Sequence, residues 1–244
     1  MNNLPHFKST GNPGRYTPHK YQLYIGEFVY GGIDGSITTF AVVAGAAGAG
    51  LHSSVVIILG LANLIADGFS MSVGSYLSGK SKLQNYQRHK ESEYWEVENI
   101  PQEGEEEVRK IFRDKGFSGD LLEKAVAKVI SDKDVWVNMM MKEELEMIPD
   151  PLSPLRKGLT TFFSFMAIGA IPLLIYLLDY IRPVNSDLFI ISAVLTGFTF
   201  LLIGWLKTYV TQTSAIRGMA ETFFLGFSAA ALAYWVGDLL ESII

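Results

Sequence analysis

Residues 28–51 read FVYGGIDGSITTFAVVAGAAGAGL, an apolar run long enough to cross a bilayer that nevertheless carries one carboxylate, Asp34. A spanning helix needs roughly 20 mostly apolar residues, and an ionised side chain at its centre costs at least about 2.5 kcal/mol. An acid in such a place points to a partner, a water-filled cavity or an ion path. The alternative is a buried core helix of a soluble protein, with Asp34 a satisfied polar group. Other apolar stretches of similar length along the chain favour the membrane reading.

Working outward, five stretches are expected to span: residues 28–51, 54–77, 158–178, 188–206 and 219–240. Of the 244 residues 49% are hydrophobic, and they are bunched rather than spread, as a polytopic all-α membrane protein requires. Between the second and third spans the composition changes. Residues 80–154 are rich in Glu, Lys and Arg, with apolar positions at helical period such as Val108, Ile111, Phe112, Leu121, Leu122, Ala125 and Val129. This insert reads as a water-facing helical domain. Breaks at Pro101, at Gly116 and Gly119 and in the run Pro149 to Pro154 place its helices at about 78–99, 102–115, 119–130 and 133–147. The organisation is then a polar tail (1–20), two spans (21–79), the insert (80–154) and three spans (155–244).

Lys8, Arg15 and Lys20 precede the first span, the insert carries many bases, and Lys207 and Arg217 lie between the fourth and fifth spans. The other side has Arg182 alone. By the positive-inside rule the N-terminus and the insert are cytoplasmic. Residues 1–22 lack a compact apolar core followed by a small-residue cleavage site, and so do not resemble a signal peptide. A net charge of −5, without basic clusters interleaved with aromatics, argues against nucleic acid as a partner. No cysteine is present, so any metal ligand is an oxygen, a nitrogen or a methionine sulfur.

Small residues crowd the first two spans, and Gly31–Gly35 and Ala44–Gly48 have the four-residue spacing of closely packed membrane helices. These spans are expected to pack on each other or on a second copy, unless the glycines only reflect membrane-helix composition. Glu27 and Asp34 are two turns apart and share a face. Asn63, Asp67 and Met71 follow one another at four-residue steps on the second span. Carboxylates, an amide and a thioether on membrane helices resemble a cation path, although Met71 taken alone reads as gap filler.

The insert offers a second constellation. Glu93 and Glu96, and Glu103 and Glu106, are three residues apart and can point from one face toward a shared ion, and Met139, Met140, Met141, Glu143 and Glu144 follow. Carboxylates suit Mg²⁺, Ca²⁺, Mn²⁺ and Fe²⁺, and a thioether shifts preference toward softer transition ions. The competing reading is a solvated acidic helix face. There is no glycine-rich phosphate loop and no His-Glu-x-x-His motif, and the histidines are scattered at 6, 19, 52 and 89. The absence of a Glu-x-x-His pair argues against a di-iron oxidase, and no enzyme activity is expected.

Two runs, GEFVYGGIDGSITTFAVVAGAAGAG from Gly26 and GLANLIADGFSMSVGSYLSGKS from Gly60, resemble the first two helices of the vacuolar iron transporter family. The likeness continues through WVNMMMKEELEM, from Trp136, into the later spans. It implies five transmembrane helices, a homodimer with a path between the copies, and a cytoplasmic domain that collects metal. Residue by residue, Asp34, Glu27 and Met71 match the family's path, and Met140, Met141 and Glu144 match its MM-x-x-E ligands. The remaining glutamates fall on Glu93, Glu96, Glu103 and Glu106, with Glu107 as the alternative to Glu106. Asn63 stands where many members have an acid, and Ser75 stands in GSYLS for GEYLS, which puts proton coupling in question. The expected function is secondary transport of Fe²⁺ or Mn²⁺ out of the cytosol in exchange for protons, with no prosthetic group. The alternative is a membrane-anchored protein that sequesters or senses metal. The expected location is the cell membrane of a prokaryote, or the vacuole or another endomembrane of a eukaryote.

Overall fold

The computed structural model describes residues 24–243, so the expectations placed on the tail and on Lys8, Arg15 and Lys20 lie outside the described residues. Every regular element among the described residues is helical: α1 (Ile25–Gly48), α2 (Ser53–Asn99), α3 (Pro101–Asp114), α4 (Gly119–Ile130), α5 (Lys133–Glu143), α6 (Pro154–Gly169), α7 (Leu174–Ile181), α8 (Leu188–Thr211) and α9 (Ala215–Glu241). Five helical stretches are long and apolar enough to cross a membrane: α1, α2, α6 with α7, α8 and α9. The chain is an integral membrane protein of all-α class.

Three boundaries differ most from expectation. The helices expected at 54–77 and 78–99 are one helix of 47 residues, α2. At 1.5 Å per residue it is about 70 Å long, more than twice the roughly 30 Å hydrocarbon core. The composition changes near Lys80, but only Gly79 interrupts the helix formers there. A lone glycine costs about 1 kcal/mol without ending a helix. The third span, conversely, is not continuous. After Gly169 a 3₁₀ turn, Ile171–Leu173, leads into α7. Pro172 has no N–H for the carbonyl of Ile168, and Leu173 N bonds the Ala170 carbonyl at 3.0 Å instead of Gly169. The fully buried Ser192 of α8 steadies the break, its hydroxyl donating to the Pro172 carbonyl at 2.7 Å.

The chain forms two compact units. The first holds the described residues up to Gly68 and those from Thr160 onward. Here α1 is the central element, and its glycines are used inside the chain. A Cβ on Gly31 would stand 2.7 Å from the Thr161 carbonyl oxygen, and one on Gly35 2.6 Å from that of Phe165. The contacts ascend together, so α1 and α6 run parallel. Further along α1, Gly45 and Gly48 meet Ala233, Tyr234 and Gly237 of α9. The four-residue spacing therefore seats α6 and α9 against α1, and the expected packing of the first two spans on each other is also present, Val43 and Ala46 of α1 sharing a buried cluster with Val56 of α2. Phe40 anchors the interior, edge-on to Phe200 and Phe227 at 6.1 and 5.6 Å.

The second unit is Phe69–Leu159. Val108, Leu122, Val126, Trp136 and Met140 form its core, with Val97 of α2 packed against them. The helix expected at 133–147 ends at Glu143. Leu145 N and Met147 N turn back to the carbonyls of Met140 and Met141, and Glu146 takes a left-handed backbone, φ 52°. That geometry usually belongs to glycine, so the sequence carries no sign of it.

Candidate metal path and acidic site

In the first unit, Glu27 lies in the first turn of α1 and Asp34 two turns on, both half-buried. Thr38 Oγ1 donates to the Asp34 carbonyl at 2.9 Å, which leaves the carboxylate free of that hydroxyl. Asp34 feels the charge of Asp67 on α2, so the first two spans bring these acids near one another. Asn63, one turn before Asp67, keeps its Nδ2 buried without a hydrogen-bond partner among the described residues. A buried unsatisfied donor costs about 1–3 kcal/mol. Turning the amide over would present its oxygen, a ligand a cation accepts. Met71 lies one turn beyond Asp67 on the same helix, half-buried, in the second unit.

In the second unit, helical phase sorts the glutamates. Glu93 lies roughly 24 Å beyond Leu77 along α2, outside any membrane span, yet it is only 5% exposed. Burial, then Glu96, Glu144 and Glu107, push its carboxyl up to about 7. Glu107 of α3 is raised by burial and then by Glu96 and Glu103, against Lys110. Glu144, at the end of α5, is raised by burial and then by Glu107 and Glu96, again against Lys110. Four acids from three helices thus gather, with Glu103 beside Glu107. Glu106 is not among them. Arg109 Nη1 holds it at 2.5 Å and Arg113 stands 3.8 Å away. Met140 and Met141 are each 1% exposed, and Met140 is also part of the hydrophobic core.

The donor set fits a divalent transition ion in chemistry: oxygens, excess negative charge and two buried thioethers. Among the described residues, no three carboxylates or histidines yet converge tightly enough to clasp one. Binding would have to draw the gathered acids together by small rotations.

Sequence reasoning missed the groups that sort these acids. Arg109 donates to Glu105 at 2.7 Å and to Glu123 of α4 at 3.3 Å as well as to Glu106, a network readable in part from its i,i+4 and i,i+3 spacings. Tyr94 donates to Asp134 at 2.6 Å, and Lys133 pairs with Glu98 while lying over the Tyr94 ring, which fixes the start of α5 to α2. Lys115 holds Glu143 at 2.5 Å, so Glu143 and Glu144 diverge. These pairs join helices remote in sequence, and spacing gave no sign of them.

The sequence model of one known family matches residues 25–238, nearly all of the described residues. The chain belongs to the VIT family. Among relatives of this VIT chain, the vacuolar iron transporter of Toxoplasma gondii is 32% identical over 228 residues, covering 91% of this chain and 76% of the relative. Vacuolar iron transporter 1 of Arabidopsis thaliana is 31% identical over 88% of this chain and 85% of its own length. The Plasmodium falciparum vacuolar iron transporter is 31% identical over 88% and 82%.

Proposed function

We propose that this VIT-family chain is a secondary transporter that moves Fe²⁺ or Mn²⁺ out of the cytosol across a membrane, in exchange for protons. The observation that carries the reading is Asp34: a carboxylate kept half-buried in an apolar span, under the influence of Asp67 and one turn from Thr38. A bare divalent ion cannot cross hydrocarbon, and carboxylate oxygens replace part of its water. Glu27 extends the path, and the Asp34 carboxylate can carry a proton when the ion has left. The gathered Glu93, Glu96, Glu107 and Glu144, with Glu103 beside them and Met140 and Met141 behind, would collect the ion on the cytoplasmic side.

The relatives are named vacuolar iron transporters, which supports iron as cargo and an endomembrane as the location in a eukaryote. The lysines and arginines around the insert and between α8 and α9 support a cytoplasmic insert. A homodimer is part of the proposal: Ala62, Ala66 and Gly74 form an exposed small-residue stripe on α2, beside Asn63, Asp67 and Met71, where a second copy could approach closely.

The test is metal flux into proteoliposomes, with and without an imposed pH gradient, for the wild type and Asp34→Asn. The variant should lose at least about nine-tenths of the flux while still binding metal at the insert. Undiminished flux would sink the mechanism. A second reading, a membrane-anchored metal store, draws on the acids lying within a compact unit of their own. It predicts bound metal but no accumulation inside vesicles for either protein.

A further inference from the structure

The second unit carries another polar feature, away from the acidic site. Here α2 and the first turns of α6 pack closely and antiparallel. Ser72 Oγ donates to the Gly158 carbonyl at 2.9 Å, and a Cβ on Gly79 would meet Pro154 at 3.3 Å. On the apolar side of this crossing stand the exposed Leu77 and Leu159, and on the polar side Lys80, Lys82 and Arg156, also exposed. The change from leucine to base marks the depth of the lipid headgroups. Lys157 is committed to Asp150 at 2.5 Å, Lys82 also acts on Asp150 and Lys80 lies over the Tyr76 ring, but among the described residues Lys80, Lys82 and Arg156 form no ion pair within 4 Å.

Beside Lys82 lies a cavity of about 350 Å³, lined by Lys82, Asn85 and Tyr86 of α2 and by Glu146, Ile148 and Asp150 of the connection from α5 to α6. The connection is shaped for this. Glu146 takes its left-handed backbone here, and the Leu152 N–H bonds Asp150 Oδ1 at 2.9 Å. Ile148 is 75% exposed beside this charged rim. An aliphatic side chain at headgroup depth gains by burying itself among acyl chains, and bases beside it gain from phosphate.

We propose that this collar binds an anionic phospholipid with a polyol headgroup. Its phosphate would rest against Lys82, with Lys80 and Arg156 adding positive charge to the collar around it. Its hydroxyls would enter the cavity, where Asn85 and Tyr86 supply donors and Glu146 and Asp150 supply acceptors. Neutral choline lipid offers the three bases no net charge, and phosphatidic acid offers the cavity no polyol.

The experiment is native mass spectrometry of the full chain, purified in detergent and incubated with equal amounts of phosphatidylglycerol, phosphatidic acid and phosphatidylcholine. The wild type should retain phosphatidylglycerol over phosphatidylcholine by on the order of tenfold and over phosphatidic acid by a smaller factor. Lys82→Gln with Arg156→Gln should cut phosphatidylglycerol retention roughly fivefold per charge removed and leave phosphatidylcholine retention unchanged. Asn85→Leu should narrow the preference for phosphatidylglycerol over phosphatidic acid. Equal retention of phosphatidylglycerol and phosphatidylcholine, or a double variant that behaves as wild type, overturns the site. Equal retention of phosphatidylglycerol and phosphatidic acid overturns the cavity's part in it. The exposed positions of all three substitutions keep folding out of the comparison.

Discussion

Arg109 follows Glu105 and Glu106 by four and three residues on α3 and donates to both, and Glu107 is left on the face that meets Glu96 and Glu144. Neighbours in sequence thus have different tasks. Glu107→Gln should weaken Mn²⁺ binding to the purified protein by on the order of tenfold, whereas Glu106→Gln should leave it within about twofold, as titration calorimetry would read. Equal effects would mean that Arg109 does not sort them. Glu93 gives a second expectation, in pH. Its carboxyl is raised from 4.5 to about 7, so the folded protein holds this proton more tightly than the unfolded chain does. Metal-free stability should therefore fall as pH rises between about 4.5 and 7 and level off above that. A metal ion takes the proton's place, so binding should strengthen over the same window. Thermal melts near pH 5 and near pH 8, with and without saturating Mn²⁺, check both signs. A metal-free protein more stable at the higher pH would contradict the burial of Glu93.

At the scale of elements, close helix approach is the main constraint on α1. Gly35→Ala would place a methyl 2.6 Å from the Phe165 carbonyl oxygen, a backbone atom that cannot swing aside. Parting α1 from α6 should cost about 1–3 kcal/mol and show as a lower melting temperature and poorer yield in detergent. Gly26→Ala, with open space around the added carbon, serves as the control. Much of this level was legible in the sequence. The apolar runs gave the spans, and the proline and glycine breaks gave α3 and α4 to within a residue or two. Pro172 breaks the third span without interrupting its apolar run, so hydropathy carried no sign of the break. The end of α5 was hidden because Glu146 adopts a glycine-like backbone without being glycine. The partners of Gly31 and Gly35 were hidden too, since a spacing says that a helix approaches and not which one.

At the scale of the whole molecule, an apolar bundle and an acidic helical unit are built from one chain that crosses between them twice, along α2 and at the start of α6. Composition set off residues 80–154 as acidic and polar, whereas the second compact unit is Phe69–Leu159. The gathering of Glu93, Glu96, Glu107 and Glu144 was only partly readable. Pair spacing gave candidates on each helix, but which acids meet depends on how α2, α3 and α5 are rotated, and that rotation is set by Trp136, Val108 and the Tyr94–Asp134 bond.

The unbroken α2 has a kinetic consequence. Its near part is apolar and its far part packs on the helices of the second unit and on the connection from α5 to α6, yet no break in hydrogen bonding separates them. Opening of such a helix proceeds from its free end, because each amide is released only after the turn beyond it has gone. Deuterium uptake in the detergent-solubilised protein should therefore fall gradually from Asn99 toward Leu77, with no step near Lys80. Metal added to the insert should slow exchange well back along the same helix, and a sharp boundary at Lys80 would mean that α2 works as two helices after all.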